Sequence, residues 1–301
     1  MKVLILGGDG MLGHQLLKAW SGRHEVRATL RRPVESYRDF RLFNEGNAIG
    51  GVDAFNAARL ASVIRDVAPD AVVNCIGIVK QRADAKAAIP SITINALLPH
   101  QLREWCEELG ARLIHLSTDC VFSGRRGAYL ETDVPDPVDL YGRSKLLGEV
   151  ADTPGLTLRT SIIGLELSRK SGLIEWFLAQ RGMIRGFRRA VYTGLTTIEM
   201  ARLVERILVR HPSLHGVWQV ASAPINKYEL LVRLAQRLGR TDIEIAPDDE
   251  FVCDRSLLSD RFDAETGYRA PSWDDMIDEL AGDIRARARP APSADRAIET
   301  E

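Results

Sequence analysis

The stretch "KVLILGGDGMLGHQLLKAW", residues 2–20, decides the fold. Lys2 to Leu6 is a short apolar run stopped by glycine, the pattern of a buried strand. Met11 to Trp20 has helical patterning. Between them stand Gly7, Gly10 and Gly13. A strand that turns on glycines directly into a helix presents free N-terminal amides to an anion, and a dinucleotide pyrophosphate is the anion this spacing suits. Gly7 would allow the tight turn, Gly10 the close approach of backbone to ligand, and Gly13 the packing of helix on strand. Met11 and Leu12 complete the candidate cofactor loop. A plain glycine-rich turn is the bland alternative.

Outward from this stretch the alternation continues. Strands are expected at Glu25–Leu30, Ala71–Cys75, Arg112–Ser117 and Leu156–Thr160, with helices at Asn56–Val67, Asn95–Leu109 and Tyr141–Val150. Short apolar runs between such helices imply a parallel sheet covered on both faces. Right-handed crossovers then give a doubly wound, Rossmann-type α/β fold. After Ile163 the rhythm loosens. Helices are expected at Leu173–Gln180, Ile198–Arg210, Tyr228–Leu238 and Trp273–Arg285, and short strands at Ala190–Thr193, Val217–Val220 and Ile243–Ile245. The expected organisation is a dinucleotide-binding domain over 1–162 and a smaller, coupled α/β substrate lobe over 163–286. A tail over 287–301, where periodicity gives way to Ala, Arg and Pro, is expected to be disordered.

Composition narrows the function. The 301 residues are 45% hydrophobic with a formal net charge of −1, enough chain for a sizeable core and no global charge suited to nucleic acid or an anionic membrane. No apolar run reaches the ~18 residues of a membrane span. The apolar start is too broken by glycine for a signal peptide, so a cytoplasmic protein is expected. Cys75, Cys106, Cys120 and Cys253 form no CxxC pair, which argues for reduced thiols and against zinc or a disulfide framework. The histidines are scattered with no H-x-x-x-H pair, so no metal is expected. Trp176 is expected in the core.

The chemistry gathers at three further places. The second strand ends "ATLRRP". Arg31 and Arg32 stand where an NAD site usually carries an acid, and arginine accommodates a 2′-phosphate. NADPH is therefore expected, with NADH as the alternative, although solvated surface arginines would look the same. Asp53, after a short apolar run, could face the adenine amine or be a loop residue. "LSTDCVFSG", residues 116–124, ends the fourth strand in hydroxyls, and the carboxyl ends of strands in open parallel sheets form the ligand crevice. Tyr141 and Lys145, four residues apart, would share one helix face. An ammonium there favours the phenolate, so Lys145 is expected to lower the Tyr141 pKa.

Together "GGDGMLG", "STDCVFSG", "YGRSKLLGE" and "LRTSIIG" resemble an extended short-chain dehydrogenase/reductase, most similar to the dTDP-4-dehydrorhamnose reductase family. "TGLTTIEMARLV" is similar to that family's entry into a substrate-lobe helix, and the resemblance runs from about Met1 to Ile277. It implies hydride transfer from NADPH to the keto carbon of a nucleotide-activated 4-keto-6-deoxy sugar, in cell-surface polysaccharide or deoxysugar synthesis. Thr118 would orient the carbonyl, Tyr141 would protonate its oxygen, and Lys145 would hold the nicotinamide ribose. The strand end Cys75, Ile76 and Gly77 would line the cofactor through its backbone. The implied partner is a nucleotide-sugar small molecule, with a homodimer allowed and no nucleic acid or membrane.

Three departures fall on the substrate side. Cys120 replaces the family's Tyr after "STD", Ile162 replaces the Trp after "RTS", and "GIVKQRAD" brings in Lys80 and Arg82. Lys80, Cys120, Ile162 and Arg255 are the candidate substrate contacts, while Arg261 reads as a surface residue. Two alternatives stay open. One is an NAD-retaining sugar-nucleotide epimerase or dehydratase; for the dehydratase, Cys120 lacks the elimination acid. The other is a non-catalytic nucleotide-binding subunit.

Overall fold

Val3 and Ile5 join one buried cluster and Leu4 and Leu6 another, and all four are wholly buried. A strand buried on both faces needs covering layers on both. The computed structural model, which describes residues 1–79 and 87–288, supplies them. β1 (Lys2–Leu6) leads to α1 (Met11–Trp20), β2 (Glu25–Thr29) and β3 (Ala48–Ile49). α2 (Ala57–Val67) then crosses back to β4 (Ala71–Asn74). A helical run of α3 (Ala88–Ser91), a π-helical segment (Ile92–Leu97) and α4 (Leu98–Leu109) precedes β5 (Arg112–Leu116), and α5 (Leu140–Leu147) precedes β6 (Gly155–Arg159). Their sheet is seven-stranded and parallel, in the order β11-β6-β5-β4-β1-β2-β3, with β11 at Gly216–Gln219. α2 and α4 cover one face; α1 and α7 (Thr197–Arg210) cover the other.

The order reverses between β1 and β4, the switch point where open α/β sheets hold ligands. Register brings the carboxyl ends into line: Leu6 pairs with Asn74, and Asn74 with His115.

The lobe is assembled from short pieces. β7 (Ile162–Ile163) pairs with β10 (Leu195–Thr196), and β8 (Gly182–Phe187) with β13 (Ile243–Asp248). β9 (Ala190–Tyr192) lies between β12 (Ile225–Asn226) and β14 (Cys253–Asp254). The helices are α6 (Leu173–Ala179), α8 (Lys227–Leu238), α9 (Asp260–Thr266) and α10 (Trp273–Ala288).

Four expectations are corrected. The 162/163 boundary is crossed again by the chain: β11 completes the first domain's sheet beside β6, and α7 packs on α1, where Trp20 Nε1 donates to the Ala201 carbonyl at 3.1 Å. An apolar strand following a crossover helix finds its partners in the existing sheet rather than in a separate lobe. The helix expected from Asn95 begins at Ala88. Pro99 has no N–H for the Asn95 carbonyl, and the backbone takes π-helical form over Ile92–Leu97. α10 runs past the expected tail start at 287: Arg287 pairs with the buried Glu175 of α6, which satisfies the carboxylate and holds the last turn. Positions 289–301 lie outside the described residues. Finally, Trp176 is 39% exposed, because α6 buries Ile174, Glu175 and Phe177 instead.

Candidate active site

The glycine loop is tied to the sheet through Thr29 of β2. Gly7 takes φ +80°, and its N–H donates to Thr29 Oγ1 at 3.0 Å. The Gly8 N–H donates to the Thr29 carbonyl at 2.8 Å. A Cβ on Gly13 would stand 2.2 Å from the Gly7 carbonyl oxygen, so α1 can seat against the turn only with glycine there. Asp9, in the same loop, accepts the Tyr37 hydroxyl at 2.9 Å.

Gly10, Met11 and Leu12 open onto a cavity of about 400 Å³ at the carboxyl edge of the sheet. Cys75, Ile76 and Gly77 form its floor. Burial pushes the Cys75 thiol up to about 12, which leaves it an inert lining group. Thr118, Tyr141 and Lys145 line the same cavity.

Two local devices bring these three together. Thr118 caps a short 3₁₀ turn, Asp119–Val121: its Oγ1 accepts the Cys120 N–H at 3.1 Å and donates to Asp119 Oδ1 at 3.1 Å. Asp139 caps α5 by accepting the Gly142 N–H at 2.8 Å. A Cβ on Gly142 would lie 2.3 Å from the Cys120 carbonyl oxygen, so the Tyr–Gly step lets α5 close on the Thr118 turn. The Tyr141 hydroxyl meets the Thr118 side chain.

The Tyr141 phenol and the Lys145 amine are each set chiefly by burial. Burial pushes the Tyr141 phenol up, with the Cys120 and Asp119 charges adding to the rise. Lys145 Nζ instead donates to the Leu116 carbonyl at 2.5 Å and lies 3.2 Å from His115 Nε2. Burial lowers the lysine to about 8, against the opposing charge of Glu149. His115 is 1% exposed, and burial drives its imidazole far below its ordinary value. Beneath the site Ser117 Oγ donates to Glu149 Oε1 at 2.7 Å, and Arg159 holds that carboxylate through two further bonds of 2.7 and 2.8 Å.

The lobe closes the cavity with Ile162, Arg169, Tyr192, Lys227 and Arg255. Cys120 and Arg255 meet: Arg255 Nη1 lies 3.5 Å from Cys120 Sγ, and its Nε donates to the Phe122 carbonyl at 2.9 Å. Tyr192 Oη is buried without a hydrogen-bond partner among the described residues, and the charge of Asp119 helps to raise its phenol.

Arg31, Arg32 and Asp53 are exposed and stand outside this lining. Asp53 accepts the Phe55 N–H at 3.1 Å, a local turn bond. Arg261 lies over the Trp218 ring at 3.7 Å, away from the cavity. Lys80 and Arg82 lie outside the described residues. Sequence reading passed over His115, Tyr192 and Lys227. His115 carried a signal, a polar residue inside an otherwise apolar strand; the other two reach the cavity from elements remote in sequence.

The family model for the RmlD substrate-binding domain matches residues 1–163. The chain is 32% identical over 166 residues to a dTDP-4-dehydrorhamnose reductase of Burkholderia thailandensis, covering 54% of this chain and 50% of that one. It is 30% identical over 154 residues to methionine adenosyltransferase 2 subunit beta of Rattus norvegicus, covering 50% and 42%. The matched segment thus spans half or less of these curated relatives. A Bacillus anthracis dTDP-4-dehydrorhamnose reductase, solved in complex with NADP, superposes with TM-score 0.76 at 18% identity over 94% of this chain and 99% of that one, a likeness of fold.

Proposed function

Since the chain belongs to the family of the RmlD substrate-binding domain, within the extended short-chain dehydrogenases/reductases, we propose that it is a reductase of nucleotide-activated 4-keto-6-deoxy sugars. We propose further that it takes NADPH, acts in the cytoplasm, serves polysaccharide or deoxysugar synthesis and divides its labour between a dinucleotide-binding domain and a substrate lobe. The observation that carries the reading is the meeting of Thr118, Tyr141 and Lys145 with the open end of the glycine loop in one cavity.

The chain's own residues fit a dinucleotide. The loop is a cradle that Cβ atoms on Gly10 and Gly13 would fill, 3.2 and 2.2 Å from the Gly7 carbonyl oxygen. The amides of Met11 and Leu12, at the start of α1, would hold its diphosphate, while the Gly10 N–H is spent on the Gly7 carbonyl at 3.0 Å. Arg31 and Arg32, exposed just beyond β2, would take a 2′-phosphate. A bound dihydronicotinamide supplies hydride to a carbonyl carbon. Thr118 would orient the carbonyl by turning its hydroxyl proton from Asp119 Oδ1 to the substrate oxygen. Tyr141, kept protonated by burial, gives its proton to the carbonyl oxygen as that oxygen gains charge. Arg255 and Lys227 face the same space and suit the sugar nucleotide's diphosphate.

A second reading, a nucleotide-binding subunit of a larger assembly, is favoured by the relatives named as subunit beta of methionine adenosyltransferase 2. The test is NADPH oxidation by the purified chain against a panel of 4-keto-6-deoxy sugar nucleotides, with products identified by NMR. Consumption of NADPH with formation of the 4-hydroxy sugar is expected. Nucleotide binding with no oxidation on any of them selects the second reading.

A further inference from the structure

The reduction uses no thiol, yet Cys120 is held against both hydroxyls that serve it. Its N–H donates to Thr118 Oγ1 at 3.1 Å. Its carbonyl oxygen lies 2.3 Å from where a Cβ on Gly142 would stand, so the first turn of α5, which carries Tyr141, closes directly on it. The side chain lines the cavity. It is near enough to act electrostatically on the Tyr141 phenol and on the Arg255 guanidinium alike. Arg255 Nη1 lies 3.5 Å from Cys120 Sγ, and Nε anchors the cation there on the Phe122 carbonyl at 2.9 Å. A guanidinium beside a thiol favours the thiolate, the form that takes a proton. Cys75 lines the same cavity, and there burial alone pushes the thiol up to about 12. On the lobe side of the cavity Tyr192 Oη is buried with no hydrogen-bond partner among the described residues, and its phenol feels Asp119, the neighbour of Cys120. An unmet polar group in that lining suits a polar ligand seated beside the thiol.

We propose that Cys120 gives the site a second activity: as a general base it removes a hydrogen from a carbon next to the substrate's keto carbon, enolising the keto sugar and exchanging that hydrogen with water. The proposal rests on the reductase reading for its substrate. A hydrogen beside a carbonyl is acidic because the electron pair it leaves behind can move onto the carbonyl oxygen. The C–H bond breaks and an S–H bond forms. The released pair makes a C=C bond, and the carbonyl π pair goes to oxygen. That oxygen also gains charge in hydride transfer, so the Tyr141 and Thr118 hydroxyls serve both steps. The base must stand beside the group that meets the carbonyl oxygen, because the carbon it attacks is bonded to the carbonyl carbon. Cys120, locked between Thr118 and the turn that carries Tyr141, has that place. In the reverse direction the thiol returns a proton drawn from water, and the ketone is restored. No oxidant or reductant is consumed, so the exchange runs without cofactor.

The test reads exchange and reduction separately. The full chain is incubated in D2O with each 4-keto-6-deoxy sugar nucleotide and no NADPH, and deuterium at the carbons flanking the keto carbon is followed by NMR. Exchange faster than in the protein-free solution is expected. Cys120→Ser keeps the size of the side chain and loses the thiol. It should slow exchange roughly 10²–10⁴-fold and slow NADPH-driven reduction far less, so that the ratio of the two rates falls about tenfold or more. A merely structural role would slow both together. If Cys120→Ser fails to fold, Cys120→Ala is read in the same way. Reduction by the parent without exchange, or equal loss of both rates in the variant, overturns the proposal. So does exchange that persists in the variant, which would assign the base to Asp119 or Glu166, the carboxylates of the lining. Exchange without NADPH oxidation instead overturns the reductase reading and leaves this activity standing, and absence of both overturns both.

Discussion

The two walls of the cavity are built differently. The sheet side is made of strand ends in register, glycines pressed against carbonyl oxygens, and side chains bonded to backbone. Thr118, Asp139 and Asn74 each have a bonded neighbour that fixes them. The lobe side is made of short strands, such as Ile162–Ile163 and Cys253–Asp254, from which long side chains reach inward. Pre-organisation of this kind suits the groups that act on the reacting bond, while adaptable long side chains suit recognition of the part of a substrate that varies.

The comparison can be broken by mutation. Tyr141→Phe should have the largest effect, lowering kcat roughly 10²–10⁴-fold while NADPH affinity, measured by fluorescence titration, stays within about threefold. Equal loss of cofactor binding would show that the sheet side does not divide its tasks in this way. On the lobe side, Arg255→Ala should raise KM for the sugar nucleotide about tenfold and leave kcat within about threefold. A fall in kcat alone would move Arg255 to the chemical step.

Two smaller effects sharpen the contrast through stability. Lys145 titrates near 8 when folded and at the ordinary 10.5 when unfolded, so between those values the unfolded chain binds more protons and stability rises with pH. Lys145→Met should therefore raise the melting temperature at pH 7, with the gain shrinking as pH rises toward 10.5. Tyr192→Phe removes a buried hydroxyl that has no partner among the described residues. It should stabilise the ligand-free chain by about 1 kcal/mol and raise KM a few-fold, provided that hydroxyl meets the substrate.

What the sequence disclosed follows the same division. The glycine loop, Thr118, and the Tyr141–Lys145 pair were legible because each is a local motif whose spacing is set by one turn or one helix. The parallel sheet was legible for the same reason, from runs such as Val3–Leu6 that are buried on both faces. Tyr192 and Lys227 were not, since only tertiary packing brings them to a cavity whose floor is formed more than a hundred residues earlier. The surroundings of Lys145 were hidden for another reason. Spacing gives proximity to Tyr141, but not the contacts beneath it, which come from Asn74 and His115 on neighbouring strands.

One amide ties two parts of the site together. Asn95, within the π-helical segment ahead of Pro99, accepts the Ile78 N–H at 2.9 Å and donates to the Ile78 carbonyl at 2.9 Å through its side-chain amide. The same side chain donates to Ser144 Oγ on α5, at 3.1 Å. The floor under the cofactor loop and the helix bearing Tyr141 and Lys145 are thus bracketed to a common post. Loss of the Asn95 amide would therefore loosen the floor at Ile78 and α5 at Ser144 at once.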